Sequence, residues 1–200
     1  MAIALFILGH AGAGKTYLAR ELVRHLNAAR RHGAWCLLDK DTVGGPLSAA
    51  LLGCLTGDPL DRDSDAYRAH VREPECRAAL DVAAENLALG VNVVLPGPFS
   101  RELARGTLFD ACALGLPADT HIVAAWKRAG VALRRERILA RGDARDRFKL
   151  ANWDNYLARL AEPNVEHFPR LTFLDADAPI AAQVHAILAS IERAPALQPA

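Results

Sequence analysis

The sequence predicts an α/β protein, a parallel sheet with helices on both faces, and three observations carry that prediction. Short apolar runs of strand length alternate with segments of helical periodicity. The first run, residues 2–8, is apolar throughout, as a strand buried on both faces must be. It leads straight into Gly9-x-x-x-x-Gly14-Lys15-Thr16, and that segment leads into a helical pattern.

Residues 17–27 read as the first helix, because Leu18, Leu22 and Leu26 recur at four-residue spacing with Ala19 and Val23 beside them. Residues 34–38 form a second short strand, which ends in Asp39-Lys40-Asp41. Residues 47–55 suit a short helix and residues 57–65 a polar, acidic loop. A further helix starts near Pro74, carries Cys76, Leu80, Ala83 and Leu87, and stops at Gly90. Residues 91–95 are a third buried strand closed by Pro96-Gly97-Pro98, and Ser100 is placed to cap the next helix. A fourth strand at 121–126 is followed by helices at 131–140 and 148–160, the latter with Trp153, Tyr156, Leu157 and Leu160 on one side, where Trp153 and Tyr156 read as core. The last pair is a strand at 171–174 and a helix at 179–191. In a sheet of this kind ligands sit beyond the carboxyl ends of the strands.

Two hundred residues, 52% of them apolar, suffice for one domain with a real core, expected over residues 1–193, with a frayed Ala/Pro-rich tail at 194–200. A net charge of +1 argues against a protein that coats nucleic acid or an acidic membrane. Cys36, Cys54, Cys76 and Cys112 lie far apart, with no pairing at metal spacing, and read as reduced core thiols. No apolar run approaches the length of a membrane span. The opening residues also look like the apolar core and cleavage site of a secretory signal, but no Lys or Arg precedes Lys15 and cleavage after Ala13 would cut the glycine segment in half. A cytoplasmic location is the expectation.

The glycine segment, set between strand and helix, is the signature of a phosphate-binding loop. At ordinary residue frequencies its four fixed positions occur by chance in under about 1% of chains this long. Gly9, Gly12, Ala13 and Gly14 shape a backbone whose N–H groups point inward, Lys15 reaches the β- and γ-phosphates, and Thr16 offers a hydroxyl to Mg²⁺. His10 is given no role. Asp39 and Asp41 follow the second strand on the same sheet edge, where one carboxylate can orient metal-bound water while the other takes the proton of a substrate hydroxyl. The competing reading is that they cap the turn that follows. Asp41-Thr-Val-Gly44 also fits the Asp-x-x-Gly of GTPases, but the guanine-reading Asn-Lys-x-Asp is absent, so a GTP switch is not expected.

Arg134, Arg137, Arg141 and Arg145, with Arg135, Arg147 and Lys149 around them, form a second constellation. Arg137 and Arg141 share a helix face, and Arg145 follows Gly142, where the helix can open into a mobile segment. Such a flap, residues 137–149, supplies cations to a γ-phosphate in the transition state; the alternative is a solvated helix paired with Glu136, Asp143 and Asp146.

These residues give the chain a resemblance to the P-loop small-molecule kinases, the group that includes chloramphenicol phosphotransferase, zeta toxins, gluconate and shikimate kinases and the phage polynucleotide kinase. It rests on residues 9–16, Asp39-Lys40-Asp41, "VNVVLPGPFS" and "RILARGDARD". The resemblance implies a three-layer P-loop NTPase fold with a five-stranded sheet in the order 2-3-1-4-5 and an arginine-rich lid, with ATP and Mg²⁺ as cofactors. It also implies that Asp39 lies near the metal with Thr16, that Asp41 is the base, and that Lys15, Arg141 and Arg145 serve catalysis while Arg137 and Arg141 hold nucleotide. Several relatives carry Asp where this chain has Pro96, which leaves Mg²⁺ to Thr16, water, phosphates and Asp39. The region between the second and third strands then forms the acceptor pocket. Its candidates are Asp39, Tyr67, Arg68, Arg72 and, beyond the third strand, Arg101, although most are ordinary as solvated helix residues. The implied activity is transfer of the γ-phosphoryl group of ATP to a hydroxyl of a small molecule, a metabolite or an antibiotic. Two alternatives remain at this level: a polynucleotide or nucleotide-sugar kinase, which needs a basic groove that the acidic 57–65 loop disfavours, and a regulatory ATPase module.

Overall fold

The computed structural model describes residues 1–30 and 32–193; the tail expected at 194–200 lies outside them. Five strands, β1 (Ile3–Leu8), β2 (Trp35–Leu37), β3 (Asn92–Pro96), β4 (His121–Arg128) and β5 (Leu171–Asp175), form one parallel sheet in the order β2-β3-β1-β4-β5. β1 lies at the centre, so both of its faces are covered, and this explains its unbroken apolar run. Ala4, Phe6 and Leu8 pack on one side with Val93, Leu95, Ala124 and Trp126 under Cys76, Ala79, Leu80, Ala83 and Leu87. Those last five lie on α4 (Arg72–Ala88), which a single π-helical turn, Tyr67–Val71, precedes. Ile3, Leu5 and Ile7 point the other way, onto Leu18, Ala19, Leu22 and Leu26 of α1 (Lys15–Ala28) and Val184, Ile187, Leu188 and Ile191 of α9 (Ile180–Glu192). Each large apolar side chain buried in this way contributes about 1.5–3 kcal/mol.

Between these elements lie α2 (Lys40–Val43), α3 (Gly45–Thr56), α5 (Ser100–Ala104), α6 (Val131–Arg141), α7 (Arg147–Ala151) and α8 (Trp153–Ala158). Three expectations are corrected. Ser100 is the first residue of α5 and makes no capping bond; the entry is set instead by Phe99, whose buried ring meets Phe6 edge-on at 5.0 Å. The helix expected over 148–160 breaks into α7 and α8 at Asn152, which leaves helical geometry and whose side chain donates to the Phe148 carbonyl at 2.9 Å, competing with the ladder. All four cysteines are free, but only Cys76 is buried, whereas Cys54 and Cys112 are exposed. Among the described residues no helix is long and apolar enough to cross a membrane.

Two asparagines satisfy backbone groups where the strands begin. Asn27 accepts from the Trp35 N–H and donates to the Trp35 carbonyl, both at 2.9 Å, and buried Asn92 accepts from the Ile3 N–H at 2.8 Å. Asn92→Leu keeps the bulk and strands that N–H, so urea unfolding should show a loss of about 1–3 kcal/mol. A loss below about 0.5 kcal/mol would mean the bond is dispensable.

Candidate active site

Residues 9–14 turn from the carboxyl end of β1 into α1, at the point where the sheet order reverses. Gly14 caps α1 at φ 84°, and no acidic side chain occupies the first turn, so the helix's N–H groups and positive end are free to face an anion. Lys15 Nζ folds back over the loop, donating to the carbonyls of Gly9 at 2.7 Å and His10 at 3.0 Å. Burial pushes its pKa down to about 8. His10 packs edge-on to Trp126 with Nε2 3.2 Å from Glu162, and burial pushes its pKa down to about 4.

Thr16 Oγ1 donates to Asp39 Oδ2 at 2.9 Å, which joins the loop to the end of β2. Asp39 also caps α2, its Oδ1 accepting from the Asp41 N–H at 3.0 Å, so the capping reading and the site reading describe the same residue. Asp41 Oδ1 meets Lys40 Nζ at 2.6 Å and Arg62 Nη1 at 3.2 Å, while Oδ2 faces Arg145 at 3.6 Å. Burial alone would raise this carboxyl, but Lys40, Arg62 and Arg145 outweigh it and hold Asp41 below the ordinary carboxylate range. Beneath lies Glu75, a fully buried side chain that takes Lys40 at 2.6 Å, Arg62 at 2.7 Å and the Tyr67 hydroxyl at 2.9 Å.

α6 ends at Gly142, φ 62°, before the segment that carries Arg145, Arg147 and Lys149. Arg137 Nη1 lies 3.5 Å from the Ala13 carbonyl. Arg141 is held by Asp146 and Arg145 by Asp143, and that guanidinium pushes the Asp143 pKa down to about 2. The lid also reaches the acidic loop, with Arg147 3.4 Å from Asp58 and Lys149 3.5 Å from Asp63. A cavity of about 900 Å³ runs from the glycine loop past Asp39 and Asp41 to Arg68, Arg72 and Arg101, with Arg137, Arg141, Arg145 and the edge of Tyr67 on its wall. Arg68 is turned toward Asp65 at 2.6 Å. Trp153 is buried as expected, whereas Tyr156 lines the cavity. Outside the loop a second hollow of about 330 Å³ is walled by Gly14, Tyr17, Arg137, Lys127 and Gln183.

Residues 5–163 match the family described as AAA domain. The chain belongs to this P-loop family. No curated protein matches the sequence. The fold is shared with an unliganded sugar kinase from Janibacter sp. HTCC2649 (TM-score 0.64, 15% identity, 100% of both chains). It is shared also with a gluconokinase from Sinorhizobium meliloti 1021 (0.57, 19%, 95% of this chain and 91% of that one). A third structure, Chaetomium thermophilum Kti12 in complex with ADP-AlF3, aligns at 0.64 and 23% identity over 96% and 99% of the two chains. The architecture is thus that of the P-loop kinases.

Sequence reasoning missed Lys40, Arg62, Glu75, Lys127 and Gln183 in this P-loop domain. Arg62 and Glu75 sit among other charged residues that mark out neither of them, and only the folded chain brings them to Asp41. Lys127 had a signal: a charge at the carboxyl end of the central strands, where ligands gather. Burial, chiefly, pushes the Lys127 pKa down to about 8, as it does for Lys15. Between pH 8 and 9 the unfolded chain therefore binds protons that the folded one lacks, and unfolding free energy should rise with pH by up to about 1.4 kcal/mol per unit for each lysine, whereas from pH 9 upward Cys76, pushed up to about 11 by burial, and Cys36, also raised by burial, act with the opposite sign. Above that window Tyr67, pushed up to about 12 by burial, and Lys40, raised by its acidic partners against the effect of burial, act with the opposite sign. Lys127→Met should remove about half of the rise in urea titrations; an unchanged slope would show that Lys127 titrates normally.

Proposed function

We propose that this protein transfers the γ-phosphoryl group of ATP to a hydroxyl of a small molecule. The observation that carries the reading is one cavity of about 900 Å³ whose wall joins the phosphate loop, Asp41, with its Oδ2 held only at 3.6 Å by Arg145, and Arg68, Arg72 and Arg101. The triphosphate lies on the loop N–H groups and the start of α1, with Lys15 leaving the Gly9 and His10 carbonyls to meet it. The base enters the smaller hollow, where Lys127 is a donor and the buried, unpartnered Gln183 Oε1 an acceptor; its amide is oriented by donation to the Ala178 carbonyl at 2.7 Å.

Thr16 and Asp39 present hard oxygen donors side by side, a fit for Mg²⁺, which keeps water and phosphate ligands beside one or two protein oxygens. Held by Thr16 and Asp39, the ion would supply positive charge to the β- and γ-phosphate oxygens. Asp41 Oδ2 receives the acceptor hydroxyl, since Oδ1 is engaged by Lys40 and Arg62. As the hydroxyl oxygen bonds to the γ-phosphorus, the bond to the β,γ-bridging oxygen breaks, ADP leaves and the proton passes to Asp41. Held below the usual range, Asp41 is ionised at neutral pH and takes the proton late, which suits a loose transition state. Arg141 and Arg145 exchange Asp146 and Asp143 for the phosphoryl oxygens as the lid closes.

ATP labelled at the γ-position, incubated with pooled metabolites, nucleosides, antibiotics and oligonucleotides, tests this. Label in a small-molecule ester is expected; label on oligonucleotides would favour a polynucleotide kinase, and label only in inorganic phosphate would favour a regulatory ATPase. With the acceptor found, Asp41→Asn should cut turnover by about 10²–10⁴. Asp39→Asn should instead raise the Mg²⁺ requirement and recover in excess Mg²⁺. Metal rescue confined to Asp41→Asn would reverse the two roles.

A further inference from the structure

The charges on the acceptor end of the large cavity do not balance. Along the whole wall eleven Lys and Arg face six Asp, with no Glu. The aspartates are already engaged: Asp41, Asp143 and Asp146 by the cations described above, Asp63 by Lys149, Asp65 by Arg68, and Asp39 by Thr16 and the Asp41 N–H. Five of the six are in ion pairs and Asp39 is the carboxylate assigned to Mg²⁺, so an amine-bearing acceptor would have to displace an ion pair or compete with the metal.

The cations are differently placed. A nucleotide triphosphate draws on Lys15, Arg137, Arg141 and Arg145 at the loop end. At the far end Arg72, half-buried at the start of α4, has no partner among the described residues. Among the described residues Arg101, on α5, has only Glu73 as an ion-pair partner, at 3.6 Å, and the Glu73 side chain is 60% exposed and lies off the cavity wall. Because Glu73 adjoins Arg72, that contact brings the two arginines to the same end of the hollow. Two guanidinium groups on that part of the wall, with Glu73 at 3.6 Å from Arg101 as the one carboxylate near them among the described residues, suit an anion, which takes charge-assisted, planar hydrogen bonds from both.

We propose that the acceptor is an alcohol carrying a second, anionic group, a phosphate monoester or a carboxylate, held by Arg72 and Arg101 while its hydroxyl lies at Asp41. The proposal rests on the kinase reading of this site. In the transfer step the anionic group keeps its bonds and charge; only the hydroxyl loses its proton, to Asp41, as its oxygen gains the phosphoryl group and ADP departs.

Two measurements test it. First, sulfate is titrated calorimetrically into protein saturated with AMPPNP and Mg²⁺, which fills the loop. One sulfate site is expected, weakened about tenfold or more in Arg72→Ala and in Arg101→Ala, partly restored in Arg72→Lys and kept in Glu73→Gln. Second, γ-labelled ATP is offered with matched pairs: glycerol and glycerol 3-phosphate, glucose with glucose 6-phosphate and gluconate, adenosine and AMP. Label should enter charged members only, the phosphate and carboxylate arms deciding which anion is read, and Arg72→Ala should raise the acceptor KM while leaving KM for ATP in place. Absence of the sulfate site, or equal transfer to the neutral members of the pairs, overturns the proposal with the kinase reading intact. A sulfate site with no transfer to any alcohol would overturn the kinase reading, and the acceptor with it.

Discussion

A β-carbon built on Gly12 would sit 2.5 Å from the Arg134 carbonyl oxygen, and one on Gly9 would sit 2.5 Å from the Lys127 carbonyl oxygen. The phosphate loop is therefore in backbone-to-backbone contact with both the end of β4 and the first turns of α6. Only glycine permits that approach, and both positions have positive φ, 138° and 81°. The glycine loop and the arginine row are consequently parts of one packed unit: α6 is seated on the loop before Arg137, Arg141 and Arg145 project from it and from the turn beyond. The position of α6 and its arginines therefore depends on how the loop is folded.

The second determinant is electrostatic. Glu75 is buried and would be costly alone, but Lys40, Arg62 and the Tyr67 hydroxyl all converge on it, and Lys40 and Arg62 continue to Asp41. Removing one partner of such a cluster costs about 3–5 kcal/mol because a buried charge is left unpaired. Glu75 thus acts as a positioning residue: it fixes two cations that occupy one oxygen of Asp41 and leave the other turned to the cavity.

The strands and most helices were legible because their physics is local. Apolar runs, four-residue spacing and the glycine loop each declare themselves within about ten residues, and the order of the sheet followed from the family resemblance. The elements misread were those decided by distant contacts, such as the start of α5, set by Phe99 against Phe6, and the break at Asn152. At the site, the loop, Asp39, Asp41 and the arginine row were legible as types at a sheet edge. Their partners were not, since Glu75 lies 34 positions from Asp41 and nothing in its own segment separates it from a solvated helix residue. The acidic 57–65 loop was informative in an unexpected way: its Asp58 and Asp63 meet the lid rather than a ligand.

The account depends on the glycine loop holding a nucleotide triphosphate through Lys15. Calorimetric titration of ATP with Mg²⁺ into wild-type and Lys15→Ala protein tests that claim directly, provided that circular dichroism shows both folded. Binding by the wild type, weakened by about tenfold or more in the variant, is the predicted result. Equal affinity in the two proteins, or no ATP binding by the wild type, would contradict it.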